Sequence, residues 1–241
     1  MAADDLINQI KENLADQLAP INGGVGADCS FEDVDAIKNE IDKSASMGDA
    51  KTDWNVVANL ADTALVEKTK DFRIGLYWAA ARATQGGVMG LLEGFVLLNG
   101  LIEGFWDTMY PPLRRPKARG NLAGWLSDYC KTISSVSTFV PTSKDADLAK
   151  ALEKVSRLVD NELGDKLGEA YGGMRELRNI IQNIERSVPK EAPPPPPPPP
   201  PTVSGMNTWL ATASMMCRIR SRPSLVAVMS RKVSSSAPWS L

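Results

Sequence analysis

Three carboxylates in one apolar stretch, Glu93, Glu103 and Asp107, are the residues best placed to do chemistry. Two carboxyls flanking one bond can serve as general acid and base, provided both reach it. Glu93 and Glu103 lie ten residues apart on what reads as one helix, hence about 15 Å along its axis, too far to share a bond. Histidine is absent, which removes Ser-His-Asp, Cys-His and most zinc-hydrolase chemistry. Cys29, Cys130 and Cys217 are far apart and odd in number, so neither a disulfide framework nor a zinc spacing is visible. Gly86, Gly87, Gly90, Gly94, Gly100 and Gly104 follow no strand, and close helix packing explains them better than a phosphate-cradling loop. The expectation is a protein with no catalytic residue, no cofactor and no metal.

Bulk properties narrow the class further. The 241 residues are 43% apolar, enough for a sizeable core plus an appendage. The net charge of −2 hides two unlike parts. Through Pro201 acids outnumber bases, whereas Thr202 to Leu241 carries Arg218, Arg220, Arg222, Arg231 and Lys232 and no acid. An acidic body lacks the concentrated basic face that phosphate neutralisation needs, so nucleic acid is not expected as a partner. The start has neither the basic nor the apolar region of a signal peptide. Val88 to Ile102 is short and carries Glu93 and Asn99, which favours a buried core helix over a membrane span. Together these features read as cytoplasmic.

The elements that would position such residues are helical. Leu6, Ile10, Leu14 and Leu18 form one stripe over Asp4 to Leu18. Phe31, Val34, Ile37, Ile41 and Ala45 form a second, with Ser30 and Asp33 as a capping-box relative. Asp53 suits the N-cap of a third, with Trp54, Val57, Leu60, Ala61 and Leu65 facing inward. After a polar break at Lys68–Lys70, a helix from about Asp71 to Thr84 is separated by Gly86-Gly87 from a strongly apolar one, Val88 to Tyr110, which Pro111-Pro112 ends. Asn121 to Phe139 reads as another helix. Asp147 to Val188 is one long helix or two in line, broken at Gly172-Gly173. No β alternation appears in these 188 residues, so the fold class expected is all-α: a multi-helix bundle over 1–188, a proline-rich linker over 189–205 and a disordered basic tail over 206–241.

The nine prolines Pro193 to Pro201 require polyproline II, about 28 Å long. They read as a stiff spacer or as a ligand for an aromatic-lined groove. The tail has no sustained periodicity, and back-translation in a frame shifted by two bases yields a more acidic, amphipathic continuation. It is therefore either a genuine tail or a frameshifted truncation of a further domain.

Several blocks resemble the ImpA/TssA family of the type VI secretion system, in its N-terminal ImpA domain. They are Leu18-Ala-Pro-Ile, Phe31-Glu-Asp-Val-Asp, Lys70 to Trp78, Gln85-Gly-Gly, Gly90 to Leu98, Phe105-Trp-Asp-Thr-Met-Tyr-Pro-Pro and Arg119 to Leu126. The resemblance implies a structural component that docks at the baseplate and helps organise tail tube and sheath assembly. Implied partners are baseplate, sheath and tube proteins, with possible homo-oligomers, at the cytoplasmic side of the inner membrane. The alternative is a generic helical adaptor recruiting partners through its prolines. Candidate motif residues, structural or partner-binding, are Asp71, Arg73, Trp78, Gly90, Gly94, Phe105, Trp106, Asp107, Tyr110, Pro111 and Trp125. Trp78, Trp106 and Tyr110 can be core, each burying about 150–250 Å², or interface anchors. Arg73, among apolar neighbours, calls for a carboxylate from Asp71, Glu93, Glu103 or Asp107, in a bidentate pair that would lock two helices.

Overall fold

The computed structural model describes residues 2–45 and 51–189. The proline run, the basic tail and its alternative reading frame lie outside the described residues. Among the described residues the architecture is all-α, with isolated β-bridges and no strand.

The first stripe bends. It gives α1 (Ala3–Asn13) and α2 (Ala15–Leu18), where one helix was expected. The turn at Leu14 carries Leu18 onto Gly100, where a Cβ would stand 2.6 Å from the Leu18 Cδ2. α3 (Asp33–Asp42) buries Val34 and Ile37. Phe31, expected on the same stripe, precedes the helix and is 90% exposed. The expected capping box does not form either. Asp33 pairs instead with Lys68 at 2.7 Å, and the Ser30 hydroxyl accepts from Arg73.

α4 (Trp54–Thr63) starts as expected, because the Asp53 carboxylate accepts the amide N–H groups of Asn55 and Val56 that no preceding turn can satisfy. It continues into a π-helical turn, Ala64–Lys68. Val57, Ala61 and Leu65 are buried on its inner face.

α5 (Phe72–Phe105) forms the centre. Gly87 has φ 58° and ψ −134°, a backbone state that side chains with a Cβ rarely adopt, and it folds the helix into two antiparallel arms, 72–86 and 88–105. The close approach of the arms depends on small residues. A Cβ on Gly90 would stand 1.9 Å from the Arg82 carbonyl oxygen, and one on Gly94 would stand 2.6 Å from the Ala79 Cβ. Across the same seam the Arg82 Nε donates to Glu93 Oε2 at 2.7 Å. Taken whole, α5 has the length and apolarity of a membrane span, but 67% of its most apolar window is buried in the protein and Gly87 halves it. The apolarity serves the core instead. Phe72, Ile74, Leu91, Leu92, Leu97 and Leu101 are fully buried, each contributing roughly 1.5–3 kcal/mol of transfer free energy.

α6 (Pro116–Thr132) begins five residues before the expected Asn121, because Pro116 suits a first turn whose N–H has no helical partner. α7 (Ser134–Ser137) follows as a single turn. α8 (Ala146–Leu167) and α9 (Arg175–Ser187) are two helices whose break runs from Gly168 to Met174, longer than the Gly172-Gly173 reading. Asp160 holds that break by accepting from the Tyr171 hydroxyl at 2.5 Å and the Met174 N–H at 3.3 Å. α8, α4, α6 and α1 all pack on α5.

Candidate functional site

Three of the family-like blocks, Lys70 to Trp78, Phe105 to Pro112 and Arg119 to Leu126, meet at one corner of the domain. Thr69 to Asp71 runs extended between two other chain segments. On one side the Lys70 N–H donates to the Val25 carbonyl at 2.7 Å and the Ala27 N–H to the Lys68 carbonyl at 3.0 Å. On the other, the Phe72 N–H donates to the Tyr110 carbonyl at 2.7 Å and the Tyr110 N–H to the Lys70 carbonyl at 3.1 Å. What read as a polar break at Lys68–Lys70 is therefore interior from Thr69 onward: Thr69, Lys70 and Asp71 are fully buried, while Lys68 is exposed. Its backbone groups find partners in neighbouring segments, which is what makes burial affordable.

Two buried cations fasten this corner. The Lys70 ammonium donates to the carbonyls of Gln17 at 2.6 Å and Leu65 at 2.5 Å, and burial pushes its pKa down to about 8. The Arg119 guanidinium donates to the carbonyls of Pro111 at 2.8 Å, Trp106 at 2.8 Å and Met109 at 2.6 Å. Its Cζ also lies 4.4 Å from the centroid of the Trp106 ring, over the face. Burial lowers the Arg119 pKa to about 10, so it stays charged at neutral pH. Both cations face backbone carbonyls that end or follow a helix, which is where a positive charge is favoured. The Tyr110–Pro111 peptide in the segment held by Arg119 is cis.

Asp71, fully buried, caps α5 by accepting the Arg73 N–H at 2.8 Å, and it pairs with the Arg73 guanidinium. Arg73 continues to the Ser30 hydroxyl at 2.7 Å and towards Asp28 at 3.7 Å. The pair is bidentate, as expected, but it ties the start of α5 to the 28–30 loop rather than locking two helices. Glu93 and Glu103 answer to different cations, Arg82 and Lys11, and Asp107 is exposed, so the three carboxylates share no site.

The remaining candidates are distributed. Trp78 and Trp106 are buried in the core at 5% and 7% exposure, and Pro111 is buried beside Arg119. Phe105 and Tyr110 are partly buried, with the Lys70 ammonium 5.8 Å from the Phe105 ring. Gly90 and Gly94 lie in the α5 seam. Trp125 stands apart, stacked on Tyr129 at a centroid distance of 5.6 Å and an interplanar angle of 8°. Sequence reasoning missed Lys70 and Arg119 as buried fasteners. For Arg119 the available signal was a lone cation in its family-like block with no acid three or four residues away; Lys70, with Arg73 in its block and Glu67 three residues before it, carried no such signal. Among the described residues no cluster of three or more Cys, Asp or Glu could hold a metal.

The fold and this corner define an all-helical domain whose most buried charges fasten its own backbone. Residues 18–128 match the family model described as ImpA, N-terminal, type VI secretion system. Residues 18–128 thus form a domain similar to the ImpA N-terminal domain of type VI secretion. Among solved structures, a similar one is the N-terminal domain including the conserved ImpA_N region of the TssA component of the type VI secretion system from Burkholderia cenocepacia. It is 22% identical with a TM-score of 0.59, over 72% of this chain and 91% of that one, and it shares the fold. No curated protein matches the chain.

Proposed function

We propose that the chain is a non-catalytic assembly component that docks at the type VI baseplate and helps organise the tail tube and sheath. The observation that carries this reading is the family match over residues 18–128, which covers the fastened corner except the Gln17 carbonyl. The corner supports it physically, because Asp71, Arg73, Trp106, Tyr110, Pro111 and Arg119 fix the relative positions of three chain segments and thereby a rigid surface. In this reading residues 1–188 are the docking domain, 189–205 a spacer and 206–241 a tail. The protein acts in the cytoplasm, next to the inner-membrane apparatus, through protein partners and with no cofactor.

The test is co-purification of the full chain with type VI baseplate, sheath and tube proteins expressed together, read by mass spectrometry. Stoichiometric recovery of a baseplate protein is expected. A folded, soluble bait that recovers none of them overturns the proposal.

A further inference from the structure

A row of aromatic side chains runs across α4, α5 and α6 outside the fastened corner. Trp54 lies 4.8 Å from Tyr129, Tyr129 stacks on Trp125 at 5.6 Å, and Trp125 meets the edge of Tyr77 at 5.2 Å. Tyr77 is buried, but Trp54, Trp125 and Tyr129 are partly exposed. The Tyr129 hydroxyl is engaged with Thr84 Oγ1 at 3.1 Å. Neither indole N–H of Trp54 and Trp125 donates a hydrogen bond among the described residues. The row thus offers partly exposed aromatic rings and two donors without a partner among the described residues, which suits a ligand that brings apolar rings and carbonyl acceptors.

A polyproline II helix has that chemistry. Its rings are apolar, its carbonyls are unpaired, and proline has no N–H to compete for acceptors. The Trp54 and Trp125 rings are at most about 10 Å apart through Tyr129, so the row is short enough to lie along one or two turns of such a helix, each about 9 Å at 3.1 Å per residue. Aromatic-lined surfaces of this kind take proline-rich segments. The chain itself encodes such a segment, nine consecutive prolines at Pro193–Pro201.

We infer that the Trp54–Tyr129–Trp125 row is a polyproline-docking platform, and that its occupant is the proline run of a second copy of this chain. The inference does not rest on the baseplate reading and can fail separately from it.

The experiment uses the full chain. Indole N–H resonances are recorded while a nine-residue proline peptide is added, and the oligomeric state is followed by light scattering as the concentration rises. The Trp54 and Trp125 signals are expected to shift, with those of Trp78 and Trp106 unmoved, and the peptide is expected to dissociate self-associated chain. Trp54→Phe and Trp125→Phe keep the rings but remove the donors, so each is expected to weaken peptide binding about fivefold with the thermal melt unchanged. Trp78→Phe is expected to leave binding as it was. Unshifted Trp54 and Trp125 signals at millimolar peptide overturn the platform. A chain that binds the peptide yet stays monomeric at every concentration overturns the second copy as occupant and points to a proline-rich partner protein.

Discussion

Arg119 shows how a charge can be structural. Its three carbonyl bonds span Trp106 to Pro111, so truncation strands three buried acceptors at once. Arg119→Met is expected to lower unfolding free energy by about 3 kcal/mol in chemical denaturation, and Arg119→Lys, which cannot fork, to recover only part of it. Lys70 makes a prediction in pH. Its folded pKa of about 8 lies below the ordinary value of about 10.4. Between these values the unfolded chain binds a proton that the folded chain does not, so raising the pH through this window adds stability, by at most about 3 kcal/mol. Denaturation at pH 7.5 and 9.5 should therefore show wild type gaining on Lys70→Met as the pH rises. Phe31, 90% exposed, is the contrast: Phe31→Ser should leave stability within about 0.5 kcal/mol of wild type.

At the scale of elements the α5 hairpin decides the packing. A Cβ on Gly90 meets backbone, which cannot step aside as a flexible side chain can. Gly90→Ala is expected to cost about 3 kcal/mol by forcing the arms apart. Gly104, in the second arm, has nothing within 4 Å of the Cβ it would acquire, so Gly104→Ala should stabilise by about 0.5–1 kcal/mol through helix propensity alone. Thermal melts of the two variants check the pair, and two losses of equal size would show that the seam is not the cause. The composition of α5 also shows why apolar length is a weak membrane signal. The same run that could cross a bilayer fills a protein core once a glycine turns it back on itself.

For the whole molecule, the hairpin arms lie inside a shell of α1, α4, α6 and α8. Amide hydrogen exchange should accordingly be slowest at 76–81 and 91–98, and faster in α1 and α9, which cover the core from outside. The sequence by itself determined the all-α class, the Asp53 cap, the Gly86-Gly87 separation and the family blocks. Each of these is written in local spacing or in a residue's own backbone preference. The tertiary structure alone decided that Thr69 and Lys70 are interior, that Phe31 leaves its stripe, that Arg73 ties a loop, and that Lys70 and Arg119 hold carbonyls outside helical spacing. It alone also set Trp54 beside Tyr129. Periodicity reports which face of a helix is apolar, but the acceptors of a buried cation and the neighbours of an indole are fixed by long-range packing, which leaves no mark at helical spacing.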